Sequence, residues 1–128
     1  MESKELLLKD TFSRLGTNTK YQIKGEENLE PLIIGGHIKI NDDYFFNFII
    51  SENHRLDFKD ISEIKPYLFP ISSMTEEQEK EYNSLNGYEL GCFPHTEDAL
   101  DYLIANHFDY RELIPMGSAL DATDLNIY

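Results

Sequence analysis

Residues 32–50, LIIGGHIKINDDYFFNFII, decide the fold class. Leu32-Ile-Ile34 and His37-Ile-Lys-Ile40 read as one long strand interrupted at Gly35-Gly36, because paired glycines inside a strand pattern mark a bulge or a sharp bend. Asn41-Asp-Asp43 supplies turn residues, and Tyr44 to Ile50 is the most apolar run in the chain. Two such runs joined by a polar turn predict antiparallel pairing. Upstream, Tyr21 and Ile23 alternate with Lys20, Gln22 and Lys24 as a half-buried strand does, and Gly25-Glu-Glu-Asn28 forms a turn. Downstream, Arg55 to Phe58 is a short further strand. The centre of the chain is therefore a meander of three or four antiparallel strands.

Helices flank it. Ser3 caps a first helix over about residues 4–15, with Leu7, Leu8, Phe12 and Leu15 at helical spacing and Gly16 at its stop. Asp60 caps a helical turn through Ile61 and Ile64 that Pro66 ends, and residues 66–70 are extended. Thr75 with Gln78 makes a capping box for a helix through Tyr82. Gly87 to Pro94 reads as a loop or short strand. Thr96 caps a helix over about residues 97–107, whose apolar face carries Ala99, Leu100, Leu103, Ile104 and His107. Phe108 to Met116 reads as another helical turn or two. The expected architecture is α+β: one domain over residues 1–128, a small antiparallel sheet with helices packed on one side.

Composition fits that size. A chain of 128 residues with eight Phe and eight Tyr can bury one modest core, and such aromatic content opposes disorder. Cys92 stands alone, so no internal disulfide forms, which suits a reducing compartment. The N-terminal MESKELLLKD lacks a signal-peptide core, and no stretch approaches a membrane span. The expectation is a soluble cytoplasmic protein.

Three stretches carry a resemblance: Lys65-Pro-Tyr-Leu-Phe-Pro-Ile-Ser-Ser-Met-Thr-Glu-Glu77, Ala99-Leu-Asp-Tyr-Leu-Ile-Ala-Asn-His-Phe-Asp-Tyr-Arg111 and Leu113-Ile-Pro-Met-Gly-Ser-Ala-Leu120. In that order they resemble a group of small uncharacterised proteins encoded by phages and prophages of Bacteroidota. That group carries a Lys-Pro-x-Leu-x-Pro segment and a His-Phe-Asp-Tyr-Arg tail. Glu112 stands here where the group has Gly, and Ser118 where it has Leu. The resemblance covers the C-terminal half and implies a context, a phage accessory protein inside a bacterial host cell, with no functional residues attached.

The residues offer little catalytic chemistry. His107-Phe-Asp109 with His95 lacks the three or four convergent ligands that a metal needs, and Asp109 is better placed to cap the following turn. Cys92 has no nucleophile signature around it and reads as a small buried side chain. Gly35-Gly36 lacks the Lys-Ser/Thr and the following helix of a phosphate-binding loop. Lys20, Lys24, Lys39 and Lys59 lie near Tyr21 and Tyr44, but Glu26, Glu27, Asp42 and Asp43 cancel them, which opposes direct nucleic-acid binding. No enzyme, cofactor or metal is expected.

Charge is the remaining signal. The formal net charge is −13. Residues 1–65 hold nine Lys or Arg against twelve acids, whereas residues 66–128 hold only Lys80 and Arg111 against twelve. Glu76, Glu77, Glu79 and Glu81 crowd one helix, and Glu97, Asp98 and Asp101 the next. Such an array repels nucleic acid and attracts basic protein surfaces, and solubility alone does not require so one-sided a distribution. The expected role is inhibition of a host protein that handles nucleic acid, such as a CRISPR effector, by an acidic surface competing with DNA or RNA. Tyr82, Tyr88 and Tyr102 are the candidate aromatic anchors beside the acids. The alternative is a phage structural or accessory protein that self-associates through a sheet edge.

Overall fold

A computed structural model describes residues 3–87 and 94–128. The elements are α1 (Ser3–Ser13), β1 (Lys20–Ile23), β2 (Leu32–Ile40), β3 (Asp43–Ser51), β4 (His54–Asp60), β5 (Ile64–Pro70), α2 (Glu76–Leu85), α3 (Glu97–Ala105), β6 (Phe108–Asp109) and β7 (Leu120–Asp121). Short 3-10 turns at Ile61–Glu63 and Ile71–Ser73 bracket β5. The segment Gly87 to Pro94, expected as loop or strand, falls mostly outside the described residues, as does Cys92.

β2, β3 and β4 form the antiparallel meander, and its register shifts between Ile34 and Gly36, where the paired glycines place the bulge. The glycine requirement is spatial. A Cβ at Gly35 would stand 2.2 Å from Arg55 Nη1 and 2.9 Å from Ile49 Cγ1. The β2–β3 turn puts Asn41 and Asp42 at φ 50° and 69°, a left-handed conformation that short polar side chains tolerate.

The described sheet has seven strands, more than the three or four expected. β5 pairs antiparallel with β1, Tyr21 opposite Pro66 and Ile23 opposite Ile64. β6 and β7 then pair parallel with β5. The Asp60-capped turn expected here is a 3-10 turn over Ile61–Glu63, and the extended run expected at residues 66–70 begins already at Ile64, so Pro66 is a buried residue inside β5. Residues 108–116 depart from the helical expectation as well, opening as β6 and continuing through turns. The Asp109 carboxylate accepts from the Leu113 and Ile114 amides, each at 2.9 Å, closing a side-chain-capped turn in place of a propagating helix.

Two core clusters result. The first joins Leu7 of α1 to Tyr21, Ile23, Phe46, Phe48, Ile64 and Leu68 of the sheet. The second joins Tyr82, Ala99, Leu103 and Phe108, with Phe69 packed against them. Leu68 and Phe69 are neighbours in β5, and successive strand residues face opposite sides. The helices therefore divide between the two sides of β5, α1 on one and the α2–α3 pair on the other, which corrects the one-sided packing expected above.

Charged groups are buried at the C-terminal end of α1. Asp10 in its last turn and Arg14 just beyond it, four positions apart, pair at 2.9 Å with no exposed side-chain surface, and Arg111 reaches the other Asp10 oxygen at 2.8 Å. Arg14 Nη2 also donates to the Phe108 carbonyl at 2.6 Å, tying α1 to β6. Among the described residues no helix is long and apolar enough to cross a membrane.

Candidate partner-binding surface

α2 and α3 are positioned by their caps. Thr75 Oγ1 accepts from the Gln78 amide, and Gln78 Oε1 accepts from the Thr75 amide, completing the box. Thr96 Oγ1 accepts from the Ala99 amide at 3.1 Å and donates to the Leu85 carbonyl at 2.7 Å. One hydroxyl thus starts α3 and closes α2. The Asn86 side chain accepts from the His95 amide beside it. The two helices then share the core of Tyr82, Ala99 and Leu103.

Glu76, Glu77, Glu79, Glu81, Glu97, Asp98 and Asp101 are all exposed. None of the seven forms an ion pair among the described residues. Glu76, Glu77 and Glu79 sit in the first turn of α2, Glu97 and Asp98 in that of α3, where the helix dipole favours negative charge. Glu81 stands close enough to Tyr102 that burial and its charge together raise the phenol pKa, which places an α2 acid beside α3. Tyr102 is half-buried on this flank. Tyr82 is 3 % exposed and anchors the helix pair itself, so it is corrected from a partner contact to a core residue. Tyr88 lies outside the described residues.

His107 leaves the apolar helix face expected for it. It follows the end of α3 at φ 62°, and its ring stacks on Tyr128 with centroids 3.8 Å apart and planes 13° apart. Among the described residues no three His, Cys, Asp or Glu side chains converge to hold a metal ion. Asp109, capping its turn, has its carboxyl pKa raised by burial, partly offset by the Ile114 and Leu113 amides.

Tyr128 marks a junction that sequence reasoning missed. The β1–β5 pairing ends at Tyr21–Pro66, and the next residues along the two strands are Lys20 and Tyr67. In place of a direct ladder bond, the Lys20 amide donates to the Tyr128 hydroxyl at 2.7 Å, and that hydroxyl donates to the Tyr67 carbonyl at 2.7 Å. Burial pushes the phenol up to about 12. The only sequence signal was an aromatic residue with no local pattern around it. Compared with known protein families, curated proteins and solved structures, the chain matches none.

Proposed function

We propose that this chain is a non-enzymatic interaction protein of the phage type, which binds a host protein that handles nucleic acid and occupies its DNA or RNA site. The observation that carries this reading is the α2–α3 pair with its seven exposed acids, none of them ion-paired among the described residues. Basic grooves that grip phosphates with Lys and Arg offer such an array the same charge complement, and long-range attraction speeds its association. Tyr102 supplies an aromatic contact on the same flank. A CRISPR effector or another defence nuclease in the host cytoplasm is the class of target that the resemblance to phage proteins favours.

The test is capture of the tagged protein's host partner at about 100 mM and about 500 mM salt, strengths between which screening shortens from about 10 Å to a few ångströms. A nucleic-acid-binding partner held at low salt, released at high salt and displaced by its own DNA or RNA is the expected result. Replacing Glu76, Glu77, Glu97 and Asp98 with Lys abolishes capture while circular dichroism is unchanged. Capture that survives the reversal overturns the reading.

One observation favours self-association as a second reading. Ile38, Ile40, Ile49, Ile50 and Phe58 of the β2–β4 meander are 38–50 % exposed, apolar surface of the kind that marks contact sites. Sedimentation across a concentration series decides it: a mass that rises with concentration supports a self-associating phage accessory protein, and a constant monomer mass removes it.

A further inference from the structure

A cleft of about 470 Å³ opens where the end of α3 meets residues 123–128, with Gln78 of α2 on its wall and Phe69 and Tyr128 adding aromatic surface. Counting hydrogens shows that its polar groups are mostly acceptors. Thr17 Oγ1 gives its single hydrogen to the Arg14 carbonyl at 2.6 Å. The 2.9 Å contact between Thr17 Oγ1 and Thr19 Oγ1 therefore uses the Thr19 hydrogen. Thr19 has none left for His107 Nδ1, 3.2 Å away, so Nδ1 carries the proton and donates. Burial, with the charges of Arg14 and Lys20, holds the imidazole pKa down at about 4, so the ring is neutral near neutral pH. Its Nε2 is left as a bare acceptor at the cleft wall.

The neighbours repeat the pattern. Asn106 gives one Nδ2 hydrogen to the Tyr102 carbonyl at 2.9 Å, keeping a second hydrogen on Nδ2 and its amide oxygen as an acceptor. The Ser73 hydroxyl donates to the Pro70 carbonyl at 2.6 Å and keeps only lone pairs. Asp124 adds a carboxylate with no ion pair among the described residues. The Gln78 amide nitrogen and the second Asn106 Nδ2 hydrogen are the exceptions, and the Thr123 hydroxyl can turn either way. His107 holds this place at φ 62°, a left-handed conformation unfavourable for a non-glycine residue.

We propose that the cleft receives the guanidinium of an arginine side chain from the bound partner. The identity of the occupant rests on the reading of a basic partner surface; the acceptor set stands on the geometry alone. A guanidinium is flat, offers five N–H donors and no acceptor, and stacks on aromatic faces. The donors have their counterparts in Nε2 of His107 and the oxygens of Asn106, Ser73 and Asp124, and the Phe69 ring lines the same cleft. Lys20, whose ammonium acts on His107, is held by the Ile127 carbonyl. The charges felt at His107 are those of Arg14 and Lys20, so the exposed Asp124 carboxylate is the group in the cleft lining that offers an opposite charge to a cation.

The test is titration of the isolated protein with N-acetyl-arginine amide, followed by NMR at the Asn106 side-chain amide and the His107 ring, at fixed ionic strength. N-acetyl-lysine amide and N-acetylglycine amide are the comparison probes. Saturable shifts with the arginine probe are expected, weakened roughly tenfold by Asp124→Asn, an exposed change that leaves the fold intact. His107→Phe keeps the stack on Tyr128, removes Nε2 and weakens the Asn106 response similarly. Equal responses to the three probes, a lysine response matching the arginine one, or an arginine response unchanged in either variant overturns the proposal. No partner is present in this titration. Saturable arginine binding beside salt-insensitive partner capture would keep the cleft and remove the mimicry, and the reverse pattern would do the opposite.

Discussion

The Tyr128 ring lies on the His107 imidazole at 3.8 Å while its hydroxyl stands in for a rung of the β1–β5 ladder. One side chain thus seals the end of α3 against the sheet. Lys20 reinforces it through the Ile127 carbonyl and an ammonium 5.7 Å from the Tyr128 ring centroid. Removing only the hydroxyl leaves the Lys20 amide and the Tyr67 carbonyl without their bridge. Tyr128→Phe is expected to destabilise by about 1–2 kcal/mol, and Tyr128→Ala by more, read as lowered urea midpoints at unchanged slope. Equal midpoints for wild type and Tyr128→Phe would show that water replaces the bridge without loss.

Asp10 answers two guanidinium groups in the interior. Asp10→Asn keeps the shape but leaves Arg14 and Arg111 uncompensated, and breaking such a buried pair costs about 3–5 kcal/mol. Urea denaturation of Asp10→Asn and of Asp10→Leu with Arg14→Met checks this. The double variant is expected to recover a substantial part of the loss, because it removes the two fully buried charges together and leaves only Arg111, whose side chain is 15 % exposed.

The bulge glycine has a predicted coupling. Gly35→Ala forces the Arg55 guanidinium and the Ile49 side chain to move, costing about 1–3 kcal/mol by overpacking. In an Arg55→Ala background the cost is expected to shrink without vanishing, since Ile49 still stands 2.9 Å from the new Cβ. A double-mutant cycle measures the difference.

Acid has a specific target at His107. Its pKa is about 4 when folded against an ordinary 6.5, so between those values the unfolded chain binds a proton that the folded one refuses. Stability is therefore expected to fall as pH drops from 6.5 towards 4, with this loss complete below 4. Asp109, whose pKa is raised on folding, works in the opposite direction at the acid end. His107→Phe should flatten the stability profile between pH 6.5 and 4, measured by denaturation at successive pH values. A profile identical to wild type would place the sensitivity elsewhere.

Local chemistry made much of the fold legible. Thr75-x-x-Gln78, Thr96 and Asp60 announced their caps because each cap spans only a few residues, and Gly35-Gly36 marked its bulge through a strand pattern on both sides. β6 and β7 are two residues each, too short to show a period, and exist only because β5 lies beside them. The Asp10–Arg14 spacing was readable along α1, but its burial depends on Arg111, 101 positions away. The acids were placed on helices correctly by propensity and capping. Tyr82 was misassigned because it shares its helix with them, and only the packing of α3 shows which side faces inward. The acceptor cleft was invisible, since Thr17, Thr19 and His107 meet through a relay that no sequence spacing encodes.

β5 gives Leu68 to one cluster and Phe69 to the other. Neither cluster can melt while the other keeps its half of that strand, so the two are expected to behave as a single cooperative foldon. Hydrogen exchange would show it directly: the Phe69 and Ala122 amides, bonded at 2.8 Å to the His107 and Leu68 carbonyls, should open only with the whole molecule and report one and the same free energy.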